Sequence, residues 1–173
     1  VIESDVTTVK ADETSTPIVR GNSLYTIVDG PSWTEAENES NALGGHLMTI
    51  NSAEESHYVF KEVALNEQGL IQGWGYWVGN SDAVIEGTWK WSSGQSPSWI
   101  PSWWKPGVTG HEPNGNSDYM IVVTRDDIGK TIEEYIERRG GYENYIQTGP
   151  GWDDDTRGDF GVAEIPFIRR GDS

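Results

Sequence analysis

From about residue 22 onward the chain alternates short apolar runs with punctuating turn residues. Ser23–Val28 (SLYTIV) reads as a β-type run, closed by the turn Asp29-Gly30-Pro31. Ser32 follows as a helix N-cap, because Ser32-Trp33-Thr34-Glu35 satisfies the S-x-x-E capping box. The helix it starts carries Trp33, Ala36 and Leu43 on its inner face and ends at Gly44-Gly45. Ser52-Ala53-Glu54-Glu55 repeats the box and predicts a second helix through Tyr58, Phe60, Val63 and Leu65. Beyond Gly69 the pattern turns to aromatic strands, Tyr76–Gly79 (YWVG) and Thr88–Trp91 (TWKW), across a polar turn. Asp118–Thr124 (DYMIVVT) gives the strongest strand signal and Phe160–Ile165 a closing strand. Two stretches break the rhythm. Ser92–Ser117 is a long loop rich in Pro, Gly, Ser and Trp, and loops of that length inside a compact domain are functional or metal-organised. Asp126–Gly151 reads as an insertion with one short helix around Thr131–Arg139. Two helices followed by strands with large loops is an α+β arrangement, and no internal repeat is present.

Composition narrows the picture. With 35% apolar residues and nine Trp among 173, the chain is too hydrophobic to be disordered, and its length fits one domain. No apolar run is long enough for a membrane-spanning helix. Acidic residues outnumber basic ones 28 to 12, a net charge of −16. Such a surface repels nucleic acid and anionic lipid and attracts divalent cations. The absence of Cys excludes disulfides, thiol catalysis and zinc–thiolate sites. A start at Val1, without Met or signal peptide, suggests a piece of something larger. Residues 1–21 are expected to be a linker or terminal strand from a neighbouring module, 22–168 the domain with 126–151 inserted, and 169–173 a tail. The Arg170-Gly171-Asp172-Ser173 tetrapeptide in that tail reads as coincidence.

Two segments carry candidate chemistry: Glu112-Pro113-Asn114 in the long loop and Trp152-Asp153-Asp154-Asp155 before the last strand. Hard cations such as Ca²⁺ take six to eight oxygens from carboxylates, amide carbonyls and water. Glu112, Asn114, Asp153 and Asp154 offer those donors, and a cis Glu112–Pro113 bond would turn both flanking side chains to one side. On acidity alone, solvated loop residues are the stronger reading. Asp126-Asp127 and Glu133-Glu134 read as solvated surface, and His46, His57 and His111 share no metal-like spacing. Trp33, Trp77, Trp89 and Trp91 read as core, whereas Trp103, Trp104 and Tyr142 lie in loops where they could border a ligand.

The order of these features changes the balance. A Trp-bearing helix ending in GGHL, a YWVG strand, a TWKW strand, a GHEPN loop, a DYM strand and a WDD turn together resemble the C-type lectin-like domain over residues 22–168. In that family the matching motifs are roughly W-x-x-A with G-G/A-x-L, W-I-G, W-x-W, E-P-N and W-N-D. The resemblance implies an α+β looped-loop fold whose upper face binds Ca²⁺, with a sugar held by the ion. The implied metal ligands are Glu112, Asn114, Asp153 and Asp154, with Asp153 standing where the family has Asn. A further family Glu is replaced by Ser117, so Ser117, Asp118 or water would complete the set. The resemblance also implies two lost disulfides, one at Ser40 and Ala163 and the other at Tyr119 and about Arg157.

By this resemblance the domain binds mannose- or fucose-type vicinal diols. Their protons go to Glu112 or Asp153, and they accept from the Asn114 amide, with Trp104 and Tyr142 as bordering rings. Cell-surface glycans are then the expected partners. A strongly acidic, cysteine-free domain behind an acidic Thr/Val-rich linker suits one module of a long extracellular bacterial adhesin. The alternative is a lectin-like module that binds protein or peptide through the 126–151 insertion. Glu112 and Asp153–Asp155 could also serve as paired catalytic carboxylates. A carboxylate clamped on Ca²⁺ is a poor proton shuttle, however, and no nucleophile accompanies them, so a non-enzymatic binder is expected.

Overall fold

The computed structural model describes residues 17–106, 112, 113, 115 and 117–167. Asn114, His111 and the Arg170–Ser173 tail lie outside them, as does most of the expected linker. The chain runs β1 (Ile18–Arg20), β2 (Ser23–Val28), α1 (Trp33–Ala42), β3 (His46–Leu47), α2 (Ala53–Val63), β4 (Gly75–Ser81), β5 (Lys90–Trp91) and β6 (Tyr119–Val123). A 3-10 turn (Arg125–Asp127), α3 (Ile132–Arg138), α4 (Tyr142–Thr148), β7 (Trp152–Asp154) and β8 (Phe160–Pro166) complete it. The fold is α+β.

One sheet carries the strands in the order β1-β2-β8-β4-β6-β7, with β3 pairing on β8 and β5 on β4. All pairs are antiparallel except β4 with β8. Side chains alternate between two cores, as strand periodicity requires. Tyr76, Val78, Met120 and Val122 point to a core shared with Val59 and Phe60 of α2 and with Tyr135 and Tyr145 of the insertion. Trp77, Ile121 and Val123 point to a core under α1, with Ala36, Leu47 and Ala163.

Both capping serines make the N-cap half of the expected box. Ser32 Oγ accepts from the Glu35 N–H at 3.2 Å, and Ser52 Oγ from the Glu55 N–H at 3.0 Å. α2 stops at Val63, before Leu65, whose backbone instead bridges to Ile71. α1 lies so close to the preceding turn that a Cβ on Gly30 would sit 2.2 Å from the Ala36 backbone nitrogen. Since backbone cannot yield as a side-chain tip does, Gly30→Ala is expected to cost about 3 kcal/mol in urea unfolding.

The segment 126–151, expected to be an insertion, differs from expectation in two ways. It contains two helices, not one, because α4 follows α3 after a turn at Gly140-Gly141. Asp127 is buried rather than solvated: Arg138 grips it at 2.5 and 2.6 Å, and Lys130 lies 3.4 Å away. This buried carboxylate ties the insertion to the end of β6, the strand that carries β7 beside it.

Candidate functional site

β7 is the last strand of the sheet and pairs only with β6 among the described residues, in the register Met120↔Asp154, Ile121↔Asp153 and Val122↔Trp152. Trp152 therefore turns into the larger core. There its ring meets Trp91, Trp99, Trp103 and Trp104 edge-on, at centroid distances of 5.8, 5.9, 5.6 and 5.4 Å. Trp99, Trp103 and Trp104 all belong to the long loop, so one buried indole gathers that loop onto β7. Trp104 in turn bridges to Glu112, and the Lys105 N–H donates to the Glu112 carbonyl at 2.6 Å. Glu112 is thereby carried to the edge of the strand bearing Asp153 and Asp154. The Glu112–Pro113 peptide is cis.

Glu112, Asp153 and Asp154 each contribute a carboxylate oxygen to a group in which all such atoms lie within 4.8 Å of one another. Asp153 and Asp154 are buried and Glu112 is half-buried. Asp154 Oδ2 accepts from the Gly115 N–H at 2.8 Å and the Ser117 N–H at 3.3 Å, which fixes the end of the loop. Asp153 Oδ2 accepts from Arg125 Nη2, and Arg125 Nη1 donates to Asp155 Oδ2 at 3.0 Å. The other oxygen of Asp153, Oδ1, is buried without a hydrogen-bond partner among the described residues. Burial pushes the Glu112 carboxyl up to about 8, and the neighbouring Asp153 and Asp154 add to the rise. Three carboxylates this close, two of them sealed from water, suit a hard divalent cation; an all-oxygen set fits Ca²⁺ and offers nothing to a soft metal.

The raised Glu112 carboxyl sets a pH dependence. A group whose folded value lies above its unfolded value stabilises the fold at low pH, and that stability is lost as pH climbs through the folded value. The Ca²⁺-free protein is therefore expected to lose melting temperature between about pH 5 and about pH 9, and Glu112→Gln should flatten that slope. A thermal melt series in chelator, with both proteins side by side, checks it.

Asp118 does not join this group. The structure places it with Asp82 and Glu86 in a second cluster, on the loop after β4. Asp82 is buried there: its Oδ2 accepts from the Gly87 N–H at 2.8 Å, while Oδ1 has no hydrogen-bond partner among the described residues. The charge of Asp82 raises the Glu86 carboxyl. Sequence reasoning passed over Asp82 and Glu86, although two acids four apart in a strand-to-strand turn were a usable signal. Ser117 meets Asp154 through its backbone, and its hydroxyl accepts from the Tyr119 N–H at 3.2 Å.

Of the two expected bordering rings, Trp104 is placed otherwise and Tyr142 is exposed. Trp104 is buried against Trp152 and Trp89, with no open face. Tyr145 is also buried, donating to or accepting from His57 at 2.9 Å, while Tyr142 is 66% exposed on the first turn of α4. Of the four tryptophans read as core, Trp77 is fully buried, whereas Trp33, Trp89 and Trp91 are half-buried and pack against the cores, Trp33 stacking on Tyr119 at 4.9 Å.

The family profile described as "Lectin C-type domain" matches residues 29–126, more than half of the chain. The chain belongs to the C-type lectin domain family. The matched stretch of this C-type lectin domain ends at residue 126, before α3, α4 and β7. A perlucin-like protein of Mytilus galloprovincialis is 28% identical over 97 residues, 56% of this chain and 58% of that protein. The chain thus spans little more than half the length of that relative. Among solved structures, the C-type lectin CEL-I from Cucumaria echinata superposes with a TM-score of 0.60 at 18% identity, covering 91% of this chain and 100% of that one. A calcium-independent type II antifreeze protein does so with a TM-score of 0.54 at 19% identity, covering 88% and 92%. At these identities the likeness is one of fold. Among the described residues no helix is long and apolar enough to cross a membrane.

Proposed function

We propose that this C-type lectin domain binds Ca²⁺ between Glu112, Asp153 and Asp154 and, through it, a mannose- or fucose-type sugar, as an adhesive module of a larger extracellular protein. The observation that carries this reading is the meeting of carboxylates from two distant segments, with the buried Oδ1 of Asp153 lacking a hydrogen-bond partner among the described residues. Sealed anions of like charge are costly unless a cation joins them. A bound Ca²⁺ would supply direct coordination for two vicinal hydroxyls. Glu112 then accepts a hydroxyl proton, since one oxygen of Asp153 is committed to Arg125. Asn114, next to cis-Pro113, is the proposed amide donor to the diol. The cluster of Asp82, Glu86 and Asp118 is a second place where the same ion fits. Cell-surface glycans are the proposed partners, and no catalytic role is proposed.

A glycan array probed with and without EDTA tests this. Binding to mannose- or fucose-terminated glycans that chelator abolishes supports the reading, and chelator-insensitive binding contradicts it.

A second reading, recognition of a protein, is favoured by one feature. Tyr142 and Ile146 stand 66% and 43% exposed on successive turns of α4, within the insertion. Shortening the insertion between Gly129 and Gly149 separates the two readings. A lectin keeps monosaccharide binding and weakens for branched glycans, whereas a protein binder loses its partner and never responds to simple sugars.

A further inference from the structure

Asp153 adds a third carboxylate, and its negative charge, to a site already holding two. The structure contains a counterpart to that charge. Arg125, on the 3-10 turn after β6, donates from Nη2 to Asp153 Oδ2 and from Nη1 to Asp155 Oδ2 at 3.0 Å. Asp155 is itself held by the Trp74 indole N–H at 2.9 Å, and the guanidinium lies 5.1 Å from the centre of the Trp74 ring. The Arg125 backbone N–H donates to the Trp74 carbonyl at 3.1 Å. The guanidinium is thus clamped between two carboxylates and over an indole plane, a geometry that suits its planar fork and that a lysine cannot copy. It takes one oxygen of Asp153 and leaves the other, Oδ1, buried and without a hydrogen-bond partner among the described residues.

We infer that Arg125 is a positioning residue that makes Asp153 behave as an amide would: one oxygen is presented to the cation, and the carboxylate charge is balanced by the guanidinium. The inference rests on the Ca²⁺–sugar reading above. Two consequences pull in opposite directions. Without Arg125, a nearby positive charge that opposes the cation is gone, and Asp153 is free to offer both oxygens, so Ca²⁺ binds more tightly. The second oxygen, however, occupies a position on the ion that the sugar hydroxyls need, so sugar binds more weakly. A residue that merely stabilised the fold would weaken both together.

The test is calorimetric titration of the full chain, first with Ca²⁺ and then, at saturating Ca²⁺, with mannose and fucose. Arg125→Met keeps an apolar stem over Trp74 and removes the donors. It is expected to bind Ca²⁺ about tenfold tighter and sugar about tenfold more weakly, a screened version of the charge effect at a partly exposed site. The double variant Arg125→Met/Asp153→Asn is expected to recover sugar affinity to within about threefold of the parent, because a neutral amide needs no counter-ion. Being charge-balanced, it also keeps the question answerable if the single variant does not fold. Unchanged affinities in Arg125→Met, a parallel loss of both, or a folded double variant that binds Ca²⁺ but not sugar would each overturn the inference while leaving the Ca²⁺–sugar reading standing. Absence of any Ca²⁺ heat in the parent protein would overturn both.

Discussion

Replacing Asp154 with Ala is expected to abolish most of the Ca²⁺-induced rise in melting temperature. An ion that binds only the folded state stabilises it by about 2.7 kcal/mol at a hundredfold excess over its dissociation constant. For a domain of this size that corresponds to a shift of roughly 5 to 10 °C. Asp154 serves this gain twice. It offers a buried carboxylate oxygen to the cluster, and its Oδ2 holds the Gly115 and Ser117 N–H groups that fix the end of the Glu112 loop. Alanine removes the charge and the anchor together. Asp154→Asn separates them, because an amide oxygen still accepts from the two N–H groups while one negative charge is gone. The melting temperature with and without chelator is the readout. The alanine variant should show a shift near zero, and the asparagine variant an intermediate one. A full shift in the alanine variant would remove Asp154 from the ion site.

Trp152→Ala should be the most damaging single change to the fold and the site at once. Its ring lies 3% exposed at the meeting point of four other indoles. Truncating a buried Trp costs about 3–5 kcal/mol, from lost transfer energy and the cavity left behind. Three of those four indoles belong to the loop that delivers Glu112, so the loop loses its seat even where the sheet survives. The expected result is a lower urea midpoint and, at temperatures where the protein remains folded, a Ca²⁺ shift reduced out of proportion to the stability loss. Trp152→Phe, which keeps an aromatic ring, should recover part of both. If Trp152→Ala lowers stability but leaves the Ca²⁺ response intact, the loop is held by something other than this cluster.

How much of this was legible in the chain depends on how local the deciding interactions are. SLYTIV and DYMIVVT sit in strands because their apolar periodicity is self-sufficient, and Ser32 and Ser52 start helices through bonds to residues three positions away. α3 was legible for the same reason: Thr131 and Glu134 form a reciprocal capping box. α4 was not, because its N-cap is Gly141, with φ +89° and no side chain to leave a capping signature. Asp127 looked like a surface acid because the cation that grips it most closely, Arg138, lies eleven residues on, in a helix whose docking the local sequence does not reveal. Trp104 looked exposed inside a Pro- and Gly-rich loop, yet it is buried by Trp152, forty-eight positions away, and only the fold brings them together.

The same logic divides the site. Glu112, Asp153 and Asp154 stood out as oxygen donors before any fold was known, and the structure brings all three together. Arg125 gave no signal, because nothing near it in sequence marks it as the partner of Asp153, twenty-eight residues later. Asp118 entered as one of three candidates, with Ser117 and water, for the place of a family Glu that Ser117 occupies. In three dimensions the loop after β4 claims Asp118 instead.

The central claim is that the Glu112–Asp153–Asp154 cluster holds a Ca²⁺ ion through which a mannose- or fucose-type diol is bound. Its most direct test is calorimetric titration of mannose, fucose and galactose into the same protein sample, saturated with Ca²⁺ and then stripped with EDTA. Millimolar binding of mannose or fucose is expected in Ca²⁺, since one diol buries little surface, with galactose weaker and all heat lost in EDTA. No heat from any of the three sugars in Ca²⁺ would contradict the claim and leave the protein-binding reading in its place.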